Sequence, residues 1–189
     1  MIKITISGFP GAGKTTIGAR LANHFHTPFM TIGGFRRQMA LDMGITIEEL
    51  NKRGESEPWT DQIADNFQKL LGKINGSFIF EGRLSWYFIP ESLKLFFVTN
   101  KYDAAKRIFN DQRESEGKFK TAEEVVEYNS KRCKSDIKRY NDIYGIKNCY
   151  SPKNYDIIID TTGLNEEQVY KKTIKKIRLW KLKKFLRLI

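Results

Sequence analysis

A ten-residue motif near the start of the chain constrains the fold more than any other feature of the sequence. Residues 7–16 read SGFPGAGKTT and fit the pattern G-x-x-x-x-G-K-S/T, which forms a loop around phosphate groups. The apolar run IKITISG leads into the motif and predicts a strand, while residues 14–25 carry apolar side chains at helical spacing. A strand, a glycine-rich loop and a helix in this order favour nucleotide binding over a chance glycine turn.

The residues of this loop predict how a nucleoside triphosphate is held. Backbone N–H groups around residues 11–16 are expected to point at the phosphates, and the start of the helix adds partial positive charge. Lys14 is expected to reach the β- and γ-phosphates, and Thr15 to place its hydroxyl on Mg²⁺. Glu81, at the end of the third predicted strand, can hold water molecules of the same ion. The predicted triphosphate-binding residues of the loop are Gly8, Gly11, Ala12, Gly13, Lys14, Thr15 and Thr16.

Strand and helix patterns alternate along the chain, which predicts an α/β fold with a parallel sheet covered on both faces. Segments 33–73 and 112–142 interrupt the alternation as helical insertions. We expect one domain over residues 1–177 and a basic, amphipathic helical extension over residues 178–189. The predicted strands are residues 2–8, 28–32, 77–82, 93–100 and 155–162.

Local signals mark where several helices begin. Thr46 with Glu49 and Thr121 with Glu124 have the spacing of capping boxes, and Asn165 is predicted to cap the last helix. The helix over residues 57–73 is expected to pack through an apolar face formed by Ile63, Phe67 and Leu70.

Composition predicts an ordinary soluble protein. The chain has 189 residues, of which 40% are hydrophobic and 29% charged, and no apolar run approaches the roughly 18 residues that span a bilayer. Because the sequence enters a strand at once, we expect no signal peptide and a cytoplasmic location. Cys133 and Cys149 form no C-x-x-C pair, so reduced thiols are expected, without a zinc-bound lid.

Positive charge is concentrated near the C-terminal end. The net charge is +11, but residues 171–189 hold nine of the 33 basic residues and none of the 22 acidic ones. The rest of the chain is nearly neutral, which argues against a nucleic-acid partner. An ATP-binding protein that uses this tail on RNA is the alternative from another functional class. No oligomeric state is predicted.

Two apolar stripes occupy the last predicted helix. The first is expected to dock on the body of the protein, and the helix to project or bend from about Arg178, because the second stripe is rotated from the first. The first stripe is Tyr170, Ile174 and Ile177, and the second is Leu182, Phe185, Leu186 and Ile189.

The sequence after the second strand favours a phosphate group as the acceptor. The base-reading pattern N-K-x-D of GTPases is absent, since the one NK pair continues as RG. Shikimate kinases carry an acidic pair beyond strand two, where this chain has TIGGFRR. A nucleoside monophosphate is largely ionised at pH 7, so it needs positioning and cations rather than a general base.

Arginines are spaced to meet such an acceptor. Arg37 follows strand two and Arg83 follows strand three, so both are expected at one crevice. Arg132 and Arg139 are seven residues apart, which places them on one face of a helix. Two further arginines are interpreted as solvated surface side chains, namely Arg36 and Arg113.

These motifs together resemble the archaeal-type cytidylate kinases, a branch of the nucleoside monophosphate kinases. The matching pieces are SGFPGAGKTT, TIGGFRR with the following MGITIEELNKRGESEPWTDQIAD, FEGRLSW, the helix bearing Arg107, RCKSDIKRYNDIYG and YDIIIDTT. They cover nearly everything up to about residue 177. FEGRLSW and RCKSDIKRY are far more specific than the phosphate loop. Members of the branch often have an acid where Gly34 stands here.

The resemblance implies a P-loop kinase fold with five parallel strands, a mobile acceptor-binding lobe at about residues 33–73 and a short helical lid at about residues 112–142. It also implies that ATP with Mg²⁺ is the phosphoryl donor and that CMP or dCMP is the acceptor. Closure of the lid would exclude water, which otherwise competes as the acceptor.

The resemblance assigns roles to five arginines. Arg37 and Arg83 hold the acceptor phosphate, and Arg107 lies against the base of ATP. Arg132 and Arg139 close with the lid onto the phosphoryl group in transfer. The catalytic residues implied are Lys14, Arg83, Arg132 and Arg139.

The acceptor base has two candidate contacts. Asp61 and Asp65 lie one turn apart on a helix of the acceptor lobe. Cytosine shows an amino donor beside its ring acceptors, so one carboxylate could accept from that group. An ordinary solvated helix face is the equal alternative. AMP or UMP stays open as the acceptor, because base choice depends on a few atoms of the pocket.

Overall fold

A parallel sheet lies between two layers of helices in the computed structural model, which describes residues 1–57, 59–112 and 119–186. The fold class expected from the sequence is confirmed. The described strands are β1 (Lys3–Gly8), β2 (Phe29–Thr31), β3 (Phe78–Glu81), β4 (Leu93–Val98) and β5 (Ile157–Asp160). The described helices are α1 (Lys14–Phe25), α2 (Ile32–Asp42), α3 (Ile47–Ser56), α4 (Trp59–Lys73), α5 (Ser85–Phe88), α6 (Lys101–Asn110), α7 (Ala122–Tyr144) and α8 (Glu166–Leu186).

The order of strands in the sheet is β2-β3-β1-β4-β5, and every neighbouring pair is parallel. Glu81 at the end of β3 is in register with Ile6 of β1 on one side and Thr31 of β2 on the other. The carboxyl ends of these three strands therefore lie side by side. The turns that follow them open onto one edge of the sheet, where ligands of open α/β folds bind.

Alternate side chains of the strands belong to two separate hydrophobic cores, one on each face of the sheet. In β3, Ile79 joins the core beneath α1 and α8, whereas Phe78 and Phe80 join the core beneath α4, α5 and α7. In β4, Phe97 faces the first core and Phe96 the second. Because both faces are covered, strands of a parallel sheet read as almost continuous apolar runs.

The predicted helix starts are confirmed. Thr46 and Glu49 form a complete capping box at the start of α3. At the start of α7 the hydroxyl of Thr121 accepts a hydrogen bond from the N–H of Glu124, but the Glu124 carboxylate accepts from the N–H of Lys120, so half of the predicted box is seen. The side chain of Asn165 accepts from the N–H three residues on, at the start of α8. Each contact satisfies a donor that the first turn of a helix cannot satisfy itself.

The buried face of α4 differs from the prediction. Ile63 is 45% exposed and Leu70 is 63% exposed, while Phe67 is only partly buried. The polar residue Gln68 is buried instead. Its Oε1 atom accepts a hydrogen bond from the Ser85 hydroxyl at 2.7 Å, which satisfies the amide oxygen in the interior. The buried residues of α4 are Thr60, Ala64, Gln68 and Leu71.

The helix α8 is continuous across the predicted boundary near residue 178. Ile174 and Ile177 of the first stripe are buried, as predicted. The docked part continues past Arg178, because Trp180 packs against the core and the Lys181 Nζ atom lies 5.3 Å from the centre of the Phe25 ring. None of the described helices is long and apolar enough to cross a membrane.

Candidate active site

Glycines in left-handed conformations shape the turn between β1 and α1. The φ angles of Gly8, Gly11 and Gly13 are 148°, 71° and 80°. A Cβ atom on Gly8 would lie 2.2 Å from the carbonyl oxygen of Phe97, and one on Gly11 would lie 2.5 Å from that of Ala104. The N-cap residue Gly13 makes no side-chain hydrogen bond to the helix. The N–H groups in the first turn of α1 are therefore left for a ligand.

A cleft of about 410 Å³ opens over this turn. We call it the donor cleft, after the triphosphate that the sequence predicts here. Every loop residue predicted to bind triphosphate lines it. The other predicted site residues along its wall are Arg37, Glu81, Arg83, Arg107 and Arg132.

The ammonium group of Lys14 lies within this wall and donates a hydrogen bond to the Phe9 carbonyl oxygen at 2.8 Å. Burial lowers the pKa of Lys14 to about 8, opposed by the Glu81 carboxylate and reinforced by the guanidinium groups of Arg83 and Arg132. The buried ammonium group would be stabilised by further negative charge beside it. A triphosphate would supply that charge.

The arrangement of Thr15 and Glu81 fits a magnesium ion that arrives with its nucleotide. The Thr15 hydroxyl donates to the Glu81 Oε2 atom at 2.8 Å, and both residues line the donor cleft. Hydroxyl and carboxylate oxygens suit Mg²⁺, which keeps several waters and takes further ligands from phosphates. Among the described residues there is no group of three or more His, Cys, Asp or Glu side chains that could hold a metal ion.

Arg107 of α6 joins three parts of the donor cleft. Its guanidinium donates to the Gly11 carbonyl oxygen at 3.3 Å, to the hydroxyl and carbonyl of Thr161 at 2.9 Å and 2.7 Å, and to the Leu164 carbonyl at 3.0 Å. These bonds fix the phosphate loop against the segment after β5. Its predicted contact with the ATP base stays a prediction.

A second cleft of about 260 Å³ adjoins the first and lies between α2, α4 and α7. We call it the acceptor cleft, after the phosphate acceptor that the sequence predicts here. Arg37, Arg83 and Arg132 line both clefts, so they form the boundary between the two. Arg139 lines the acceptor cleft instead of the donor cleft. The spacing argument therefore grouped Arg132 and Arg139 correctly on α7, but of the two only Arg132 lines the donor cleft.

Arg83 is held by a carboxylate from the opposite wall. Its Nε atom lies 2.5 Å from Asp136 Oδ2 and 3.1 Å from the Tyr150 hydroxyl, which itself donates to Asp136 at 2.7 Å. Burial lowers the pKa of Arg83, but Asp136 and the neighbouring tyrosines outweigh this and raise the pKa above its usual value. The guanidinium is thus permanently charged and fixed in direction.

Sequence reasoning missed both partners of Arg83. Asp136 had a signal, because it follows Arg132 by four residues and precedes Arg139 by three, which places it on their helical face. Tyr150 had no such signal, because only the tertiary fold brings the turn after α7 into contact with Arg83.

A second ion-pair group occupies the far wall of the acceptor cleft. Arg36 NH1 lies 2.9 Å from Asp61 Oδ1, and Arg139 NH1 lies 3.5 Å from Asp61 Oδ2. The Arg36 side chain is only 13% exposed, so its interpretation as a solvated surface arginine was wrong. The matching interpretation of Arg113 concerns a residue outside the described part of the chain.

Asp65 lines the acceptor cleft one turn beyond Asp61, so neither is an ordinary solvated side chain. The Tyr144 hydroxyl donates to the Asp65 Oδ2 atom. Burial raises the pKa of Asp65, and the Asp61 charge adds to this, while the hydrogen bond from Tyr144 opposes it. Its position gives the cleft a hydrogen-bond acceptor away from the arginine boundary.

The chain is similar to the proteins of a known family. The model of the cytidylate kinase-like family matches residues 3–163. The protein named cytidylate kinase in Methanobrevibacter smithii is 33% identical over 168 residues, which cover 89% of this chain and 94% of the relative. The cytidylate kinase of Archaeoglobus fulgidus is 30% identical over 183 residues, covering 96% of this chain and 98% of the relative.

One relative has a different name. An S-adenosylmethionine-dependent nucleotide dehydratase of Lacinutrix mariniflava is 29% identical over 168 residues, and the chain spans 34% of its length. Among solved structures, shikimate kinase from Bacteroides thetaiotaomicron superposes with a TM-score of 0.61 at 16% identity. That match covers 94% of this chain and 96% of the other and supports the fold alone.

Proposed function

Because the chain belongs to the cytidylate kinase-like family, we propose that it transfers the γ-phosphoryl group of ATP to CMP or dCMP. The family supports a nucleotide kinase, and the choice of acceptor is our proposal. One observation carries it: Arg37, Arg83 and Arg132 line both clefts. Two phosphate groups would meet at this boundary, and three cations there would offset their repulsion.

The donor side follows from the residues around the phosphate loop. The N–H groups at the start of α1 and the Lys14 ammonium would bind the phosphates of ATP. Thr15 and Glu81 would hold Mg²⁺, which neutralises charge on the β- and γ-phosphates when it is bound. Arg132, on α7, would follow the transferring group, and closure of α7 over it would exclude water.

The acceptor side favours an anion over a hydroxyl group. Two carboxylates on the acceptor side are already paired, since Asp136 pairs with Arg83, and Asp61 pairs with Arg36 and Arg139. A third, Asp65, already accepts a hydrogen bond from the Tyr144 hydroxyl. A hydroxyl acceptor needs a residue that takes or orients its proton, whereas an ionised monophosphate needs only positioning. The arrangement therefore supports a nucleoside monophosphate better than a small alcohol.

The acceptor cleft favours cytosine over uracil at Asp65. The Asp65 carboxylate can accept from an exocyclic amino group, which cytosine carries at N4. Uracil carries an oxygen at the same position. That oxygen would be repelled by the lone pairs of the Asp65 carboxylate. Base selection at this single residue supports CMP or dCMP over UMP.

Steady-state kinetics with ATP and Mg²⁺ test the proposal across a panel of acceptors: CMP, dCMP, UMP, AMP, GMP and shikimate. We expect kcat/KM for CMP or dCMP to exceed that of every other acceptor by at least about tenfold, which corresponds to the net free energy of one hydrogen bond. A tenfold preference for any other acceptor would show that the assignment is wrong.

A further inference from the structure

The last turns of α8 carry an apolar stripe that nothing in the described structure covers. Leu179, Leu182 and Leu186 are 48%, 55% and 62% exposed, and Phe185 beside them is 61% exposed. At about 100° per residue, the three leucines lie on the helix face opposite the buried Ile177. The predicted stripe is therefore present and outward-facing, and its last member, Ile189, lies outside the described residues.

Basic side chains border this stripe. Lys175, Arg178 and Lys183 are exposed along the same outer surface of α8. Residues 171–189 contain nine basic and no acidic residues. An apolar stripe between lysine and arginine side chains is the pattern of a helix that lies in the plane of an anionic membrane surface.

We propose that the end of α8 docks this protein reversibly onto anionic lipid surfaces, with Leu179, Leu182 and Leu186 entering the headgroup region. The lysines and the arginine contact lipid phosphates beside them. A second copy of the chain fits the stripe poorly, because pairing two such helices would bring two clusters of like charge together. RNA would use the charges but would leave the leucines in water.

Docking in this manner leaves the two clefts open. Glu166 and Val169, in the first turn of α8, line the donor cleft, and the stripe lies toward the opposite end of the helix. At about 1.5 Å per residue, the two ends of α8 are separated by about 30 Å. The surface site and the proposed catalytic site can therefore be tested separately.

Co-sedimentation of the whole protein with vesicles tests the proposal. The test variant is Leu182→Gln with Leu186→Gln, and the matched control is Leu41→Gln with Leu70→Gln, two leucines that are 71% and 63% exposed elsewhere. We expect binding to vesicles containing phosphatidylglycerol and not to phosphatidylcholine alone, with loss in about 0.5 M salt. The test variant should bind at least about tenfold more weakly, because it lacks two leucines that would leave water on docking to the lipid, and the control should bind like wild type.

Thermal unfolding checks that both variants are folded. The proposal is overturned if wild type does not bind the anionic vesicles, if it binds neutral vesicles equally, or if the test variant binds as well as the control. It is also overturned if the leucine substitutions abolish self-association in lipid-free solution, which would identify a second copy as the occupant. Salt-dependent binding of wild type to an RNA homopolymer, without binding to the anionic vesicles, would identify RNA as the partner and overturn the proposal.

Discussion

At the scale of single residues, Lys14 shows that a buried binding-site residue can lower the stability of the nucleotide-free protein. Burial lowers its pKa from 10.5 to about 8, so the folded state disfavours the charged form that the unfolded chain prefers. This penalty is fully present below pH 8, decreases as the pH rises toward 10.5, and is absent above it. Binding of an anionic nucleotide would remove the penalty at neutral pH.

Replacing Lys14 with Met should therefore stabilise the nucleotide-free protein while abolishing turnover. We expect the free energy of unfolding to rise by about 1–2 kcal/mol at pH 7, the lost hydrogen bond to Phe9 offsetting part of the gain. The gain should vanish near pH 10.5. Urea denaturation at both pH values measures it, with Lys106→Met on α6 as an exposed control. A variant less stable than wild type at pH 7 would contradict this explanation.

Asp65 offers a second prediction at this scale. Asp65→Asn replaces one acceptor oxygen with an amide donor, which suits the oxygen at position 4 of uracil. The ratio of kcat/KM for UMP to that for CMP should rise at least about tenfold. The exposed Asp42→Asn is the matched control and should leave the ratio unchanged. Equal losses for both acceptors would remove Asp65 from base selection.

At the scale of elements, periodicity predicted where helices lie better than which face each buries. The helix α1 was predicted to the residue, because the phosphate loop and its apolar spacing agree. The prediction of the buried face of α4 was wrong, because Gln68 is buried and accepts a hydrogen bond from Ser85 inside the protein. Whether a polar residue will be satisfied in the interior depends on another element, so the pattern of one helix does not reveal it.

Two adjacent leucines of α4 test the corrected face. Leu71 is 6% exposed and belongs to the core, whereas Leu70 is 63% exposed. Leu71→Ala should lower the free energy of unfolding by about 2–5 kcal/mol, and Leu70→Ala should change it by no more than about 0.5 kcal/mol. Chemical denaturation measures both. Comparable losses in the two variants would mean that the orientation of α4 is wrong.

At the scale of the whole molecule, the sheet explains why distant motifs meet. Strand order and register put the ends of β1, β2 and β3 together, which sequence could predict from the alternating pattern and from arginines placed after strands. The pairing of Arg83 with Asp136 and Tyr150 required the packing of α7 against the sheet. Contacts between elements far apart in sequence leave no local pattern in the sequence. The partners of Arg83 could therefore be identified only from the three-dimensional structure.

The most direct test of the central claim is the kinetic effect of Arg83→Ala. Arg83 lies at the boundary where the acceptor phosphate is proposed to bind, so kcat/KM for CMP should fall about a hundredfold or more, on the scale of a broken buried charge pair. The KM for ATP should stay within about threefold, because Lys14 and the phosphate loop hold the donor. The double variant with Asp136→Asn removes the unpaired buried carboxylate and keeps the comparison interpretable if the single variant is unstable. Normal CMP kinetics in both variants, or a loss that appears equally in the KM for ATP, would contradict the account.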